Sequence, residues 1–178
     1  MIWLLAALIA LAGCRDSREE HPSEYFRLAG VDEVPTLDPA IGYDTTSWLF
    51  EQMLFNTLVD YDDEGQLVPE LATAWEISPD GRQYTFQLRG DVRFSNGRPL
   101  VAADVKYSIE RVLQPHTRSQ GIEFFTSLTG AADVVNGRRS DIQGIEVLDD
   151  HRLRFRLGEV DPLQSERARR IRSLLRPR

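Results

Sequence analysis

Residues 69–105, PELATAWEISPDGRQYTFQLRGDVRFSNGRPLVAADV, leave little freedom in how the chain folds. Trp75, Ile77, Tyr84, Phe86, Leu88, Val92 and Phe94 recur at a spacing of two, the signature of strands with one buried face. Pro79-Asp80-Gly81 and Ser95-Asn96-Gly97 interrupt that alternation with turn chemistry. The pattern switches to a helical period over Ala102 to Leu113, with Val105, Ile109, Val112 and Leu113 on one stripe. Val101 stands at the N-cap position and supplies no side-chain cap, while Asp104 in the first turn complements the helix dipole. Strands separated by turns, with a helix following them, are the expectation.

The flanking sequence extends this plan. Tyr25 to Val31 is a strand candidate, and Pro35-Thr36-Leu37-Asp38-Pro39 fixes an extended turn. Thr46 to Val59 is expected as an amphipathic helix, with Leu49, Met53 and Leu54 on its apolar stripe and Thr46 or Ser47 as its cap. Leu58-Val59-Asp60-Tyr61 and Leu67-Val68-Pro69 flank a turn at Asp62 to Gly65. Residues 115–122 read as loop, Phe124 to Val135 as a helix closed by Asn136-Gly137, and Ile142 to Leu148 and Leu153 to Leu157 as strands joined at Asp149-Asp150-His151. In the last strand Leu153, Phe155 and Leu157 face the core, while Arg152, Arg154 and Arg156 face water.

The ends carry different information. Residues 2–12 form an apolar run too short for a bilayer, which needs ~20 residues, and suited to a signal-peptide core. Leu11-Ala12-Gly13-Cys14 resembles a bacterial lipobox, which implies that residues 1–14 are a lipoprotein signal peptide ending at Cys14, and that this cysteine is lipidated and retained after cleavage. No Lys or Arg precedes the run, so a start upstream of Met1 is part of the same expectation. Cys14 is the only cysteine, so no disulfide forms within the chain. Residues 15–24 then read as a polar tether. The net charge of −7 is uneven: six arginines and one glutamate give residues 163–178 a charge of +5, leaving −12 for the rest. So acidic a body argues against a nucleic-acid partner.

Four passages resemble one family. The run from Pro69 to Val105 is similar to P-x-L-A-x-x-W, D-G-x-x-Y-T-F-x-L-R and V-x-F-x-x-G-x-P-x-x-A-x-D-V of the family 5 extracellular solute-binding proteins, the peptide, oligopeptide and nickel receptors of ABC importers. Leu37-Asp38-Pro39 and the Leu58 to Pro69 passage match the same family, as does the strand pair after residue 142. The resemblance implies an α/β, two-lobed periplasmic-binding-protein-like fold. Residues 25–55 would begin lobe one, and residues 56–160 would form an accessory α+β domain. The second lobe, and with it half the ligand site, would be missing. Implied partners are a peptide-like or other small solute, the ABC permease and ATPase subunits, and a membrane reached through the lipid anchor. The location implied is extracytoplasmic.

In such receptors the solute is clamped rather than transformed, so the chain is expected not to be an enzyme and to need no cofactor. Gly42, Tyr43, Asp44 and Thr45, in the loop after Leu37-Asp38-Pro39, correspond to a ligand-facing segment, and Phe124 corresponds to a second cleft edge. Trp75, Tyr84, Phe86 and Phe94 are expected in the core. His21, His116 and His151 are too scattered for a zinc site, and Asp60, Asp62, Asp63 and Glu64 lack EF-hand spacing, so no metal is expected. Residues 161–178 depart from the family pattern. Two readings stay open for them: a basic amphipathic helix with Ile171, Leu174 and Leu175 as its stripe, or an out-of-frame product, which the Arg/Ser/Leu/Pro bias favours. A truncated receptor is therefore the first functional reading; a self-standing lipoprotein interaction module and a non-functional gene remnant are the alternatives.

Overall fold

A computed structural model describes residues 33–158. Cys14 and its leader, the tether, the Tyr25 to Val31 strand and the basic tail lie outside the described residues.

Within them the order is α1 (Thr45–Leu54), β1 (Val59–Tyr61), β2 (Leu67–Pro69), β3 (Ala72–Ile77), β4 (Gln83–Leu88), α2 (Ala102–Leu113), α3 (Ala131–Val135), β5 (Ile145–Asp149) and β6 (Arg152–Arg156). Two short 3-10 segments, Pro115–Thr117 and Gln120–Phe124, bridge α2 and α3. Strands β1 and β2 form an antiparallel hairpin, and the other four make an antiparallel sheet in the order β3-β4-β6-β5.

The alternation in 69–105 does what it should. On β4, Tyr84, Phe86 and Leu88 are buried while Gln83 and Gln87 are exposed. Phe86 pairs in register with Leu153 of β6, and its ring lies 5.2 Å from that of Phe155. Helix α2 contributes Ala102, Ile109 and Leu113 to the same core, and α3 adds Ala131 and Val134. Gly81 and Gly97 sit at φ +67° and +85°, the left-handed conformation their turns demand. On β6, Leu153 is buried, and on the outer side Arg154 and Arg156 both reach Glu146 of β5.

Four expectations need correction. Helix α1 stops at Leu54 rather than Val59, because Phe55 is extended and the Glu70 carboxylate takes Asn56 Nδ2 and Thr57 N at 2.6 Å each. Its stripe of Leu49, Met53 and Leu54 is 50–59% exposed; Ser47 and Glu51 are the residues turned inward. The helix expected over Phe124 to Val135 is only α3. Ser127 and Thr129 sit in a turn bonded through their backbones to Gly158 and Arg156, around the Leu128–Leu157 bridge, and Gly130 adopts φ +80° before the helix starts. Phe94 is 38% exposed, lying under the Arg98 guanidinium rather than in the core.

Candidate functional site

The loop from Asp38 to Asp44 is built by short-range bonds around one aspartate. Asp38 Oδ1 accepts the Ala40 N–H at 3.0 Å, and the Asp38 carbonyl accepts those of Ile41 and Gly42 at 2.9 and 2.8 Å. The second carboxylate oxygen of Asp38 pairs with Arg111, near the end of α2. Burial pushes the Asp38 carboxyl up, but Arg111 and the Ala40 N–H outweigh it, and the net shift is below the usual aspartate value. The loop start is thus tied to the helix that backs the sheet.

Further along, Asp44 caps α1. Its carboxylate accepts the Ser47 N–H at 2.8 Å, and Ser47 holds its pKa down. The cap is therefore Asp44 and not Thr46 or Ser47, and one of the expected ligand-facing residues already has a structural role. Gly42 is pressed against the helix: a Cβ there would lie 1.9 Å from Glu51 Oε1. Glu51 is 6% exposed, and Oε1 has no hydrogen-bond partner among the described residues. Burial, then the charges of Asp44 and Asp38, push its carboxyl above the usual range.

Tyr43 and Thr45 remain exposed. The Tyr43 ring reaches Phe124, which is itself 64% exposed, with centroids 6.4 Å apart. Two candidates from separate stretches of sequence are therefore brought together, while Gly42 and Asp44 mainly shape the loop that presents Tyr43. Glu51 and Arg111 are the residues that the sequence did not disclose; their partners lie in other elements, and neither falls in a motif. Beside the aromatic pair, Phe124 also lines an apolar cavity of about 290 Å³ between the β1–β2 hairpin and the four-stranded sheet. Among the described residues no group of three or more His, Cys, Asp or Glu side chains could hold a metal ion. The arrangement offers exposed aromatic faces and apolar volume: surfaces for binding.

Comparison with known proteins agrees in family. The sequence profile described as "Bacterial extracellular solute-binding proteins, family 5 Middle" matches residues 66–174, running into the tail expected to depart from the pattern. The periplasmic murein peptide-binding protein MppA of Escherichia coli K12 is 33% identical over 135 residues, which is 74% of this chain and 25% of the relative. Di/tripeptide-binding protein 3 of Pseudomonas aeruginosa is 33% identical over 176 residues, 89% of this chain and 30% of the relative. Among solved structures, E. coli MppA superposes with a TM-score of 0.68 at 32% identity, covering 74% of this chain and 26% of that one. Peptide-bound OppA of Listeria monocytogenes gives 0.67 at 28% identity, over 71% of this chain and 25% of that one. The chain thus spans about a quarter to a third of the length of these relatives.

Proposed function

This chain belongs to the bacterial extracellular solute-binding proteins of family 5, and on that premise we propose that it supplies one wall of a receptor site for a peptide-like solute of an ABC importer. The observation that carries this reading is the meeting of Tyr43 and Phe124 on an exposed face. A solute lying along residues 42–45 would stack on these rings and hydrogen-bond to the backbone that Gly42 leaves open. Residues 25–55 begin the first lobe and residues 56–160 make the accessory domain. Cys14 carries the lipid anchor that keeps the receptor at the membrane. Binding is the whole task; the transport step and its ATP belong to permease and ATPase partners, and no cofactor takes part.

Because the relatives are three to four times longer, the opposite wall of the site comes from the part of the receptor that this chain does not span. One-sided contact gives dissociation constants of order millimolar, about −4 kcal/mol. The test is a titration of the isotope-labelled chain with tripeptides, followed by amide chemical shifts. Shifts centred on Gly42 to Thr45 and Phe124, saturating near millimolar peptide, are expected. Shifts that leave Gly42 to Thr45 and Phe124 unmoved, or none, overturn the assignment; micromolar affinity overturns the one-sided geometry.

A further inference from the structure

We propose that the cavity beneath Phe124 is a side-chain pocket that selects solutes carrying a bulky, uncharged aromatic group. The inference rests on the receptor reading above and adds to it a specificity that no motif in the loop provides.

Three observations converge. The first is chemistry: the walls come from Leu67, Tyr84, Phe86, Phe155 and other apolar side chains, Ser127 is the only aliphatic polar residue among them, and no charged residue contributes. A lysine or aspartate side chain placed there would lose its hydration with no opposite charge to compensate, whereas a ring would exchange water for contact with other rings. The second is size. About 290 Å³ is roughly twice the ~150 Å³ apolar cavity that takes up a benzene molecule, so an indole or phenol ring fits with its linking methylene. Third, the cavity has a direction. Tyr61 and Phe124, at 48% and 64% exposure, are the two most accessible aromatics of its lining, and the Phe124 ring is the one that touches Tyr43. A solute extended along residues 42–45 therefore has the pocket within reach of one side chain.

The pocket also leaves a polar atom to be used. Ser127 Oγ is buried and has no hydrogen-bond partner among the described residues. An indole N–H or a phenol O–H entering from the Phe124 side is a suitable donor for it.

The experiment titrates indole, and separately butylamine as the charged counterpart, into the full labelled chain. Indole should give saturable shifts at Tyr61, Leu67, Ser127 and Leu128, and butylamine should leave them unmoved at equal concentration. Absence of saturable indole shifts, or equal shifts from both, overturns the pocket. Ser127→Leu and Leu67→Phe fill the volume in different ways; each variant that keeps the wild-type thermal midpoint should weaken indole binding at least about tenfold. Unchanged indole binding in a folded filled variant overturns the location. Ala-Trp-Ala should then bind at least about tenfold more tightly than Ala-Lys-Ala. Equal binding of the two peptides overturns the selectivity while the receptor reading stands. Indole binding without any tripeptide binding overturns the receptor reading and leaves the cavity as a site for a free aromatic molecule.

Discussion

The rings of Tyr43 and Phe124 stand 6.4 Å apart and tilted by 36°, inside the range where aromatic pairs attract, although both residues are more than half exposed. Stability should therefore depend on them only lightly. A double-mutant cycle of Tyr43→Ala and Phe124→Ala is expected to give a coupling of about 0.5 kcal/mol, with each single change costing about 1 kcal/mol or less. Chemical denaturation of the four proteins measures it, and additive effects would show that the rings do not interact.

The Asp38–Arg111 pair joins the loop to α2, and both side chains are roughly one-third exposed, so its worth is about 1 kcal/mol or less. Its signature is pH dependence. The Asp38 pKa is lowered on folding, so the stabilisation is present above the ordinary value of 3.8 and is lost as pH falls through the lower folded value. Asp38→Asn should remove that part of the acid limb, and Arg111→Ala should speed exchange of the Ala40 amide. Identical acid limbs in wild type and Asp38→Asn would refute the link.

Gly42 and Gly144 should respond differently to alanine. At Gly42 the obstacle is a side chain, Glu51 Oε1 at 1.9 Å; at Gly144 it is backbone, Thr129 N at 2.6 Å and Thr129 O at 2.8 Å. Gly42→Ala should cost roughly 1–3 kcal/mol and be rescued by Glu51→Ala. Gly144→Ala should lie at the upper end of that range, and Thr129→Ala, which leaves the obstructing backbone in place, should not relieve it. Thermal midpoints of the single and paired variants decide this.

Glu51 gives the opposite pH trend to Asp38. Burial raises its pKa on folding, so the protonated carboxyl favours the folded state fully below the ordinary value of 4.5, and that advantage is lost as pH rises through the raised value. Glu51→Gln should therefore be more stable than wild type near neutral pH, and the gap should close on acidification. A constant gap across the titration would mean that Glu51 ionises as freely in the folded chain as in the unfolded one.

Sequence reading succeeded where the signal was local. The β1–β2 hairpin, the β3–β4 pair with its turn at Gly81, and α2 with the bounds Ala102–Leu113 all follow from alternation, turn residues and helical period within a few residues of one another. It failed where distant partners decide. Leu49, Met53 and Leu54 form a genuine stripe, yet nothing in their own segment says which side of α1 will be covered, and the polar pair Ser47 and Glu51 is turned inward instead. Phe124 to Gly130 has helix-compatible residues, but Ser127 and Thr129 bond to Gly158 and Arg156, a competition no local window contains. For the candidate site, Tyr43 and Phe124 were legible through family likeness, whereas Arg111 meets Asp38 across 73 residues of chain and carried no advance mark.

The strand order β3-β4-β6-β5 places β6, the last described strand, between two strands made before it. While the polypeptide is being synthesised, β4 has β3 on one side and an open row of backbone donors and acceptors on the other until Arg156 has emerged. Tyr84 and Phe86 lack the partners Phe155 and Leu153 for that whole interval. A nascent chain stopped short of residue 152 would present a sticky strand edge, and holding chaperones should engage it more strongly than a chain extended past residue 158.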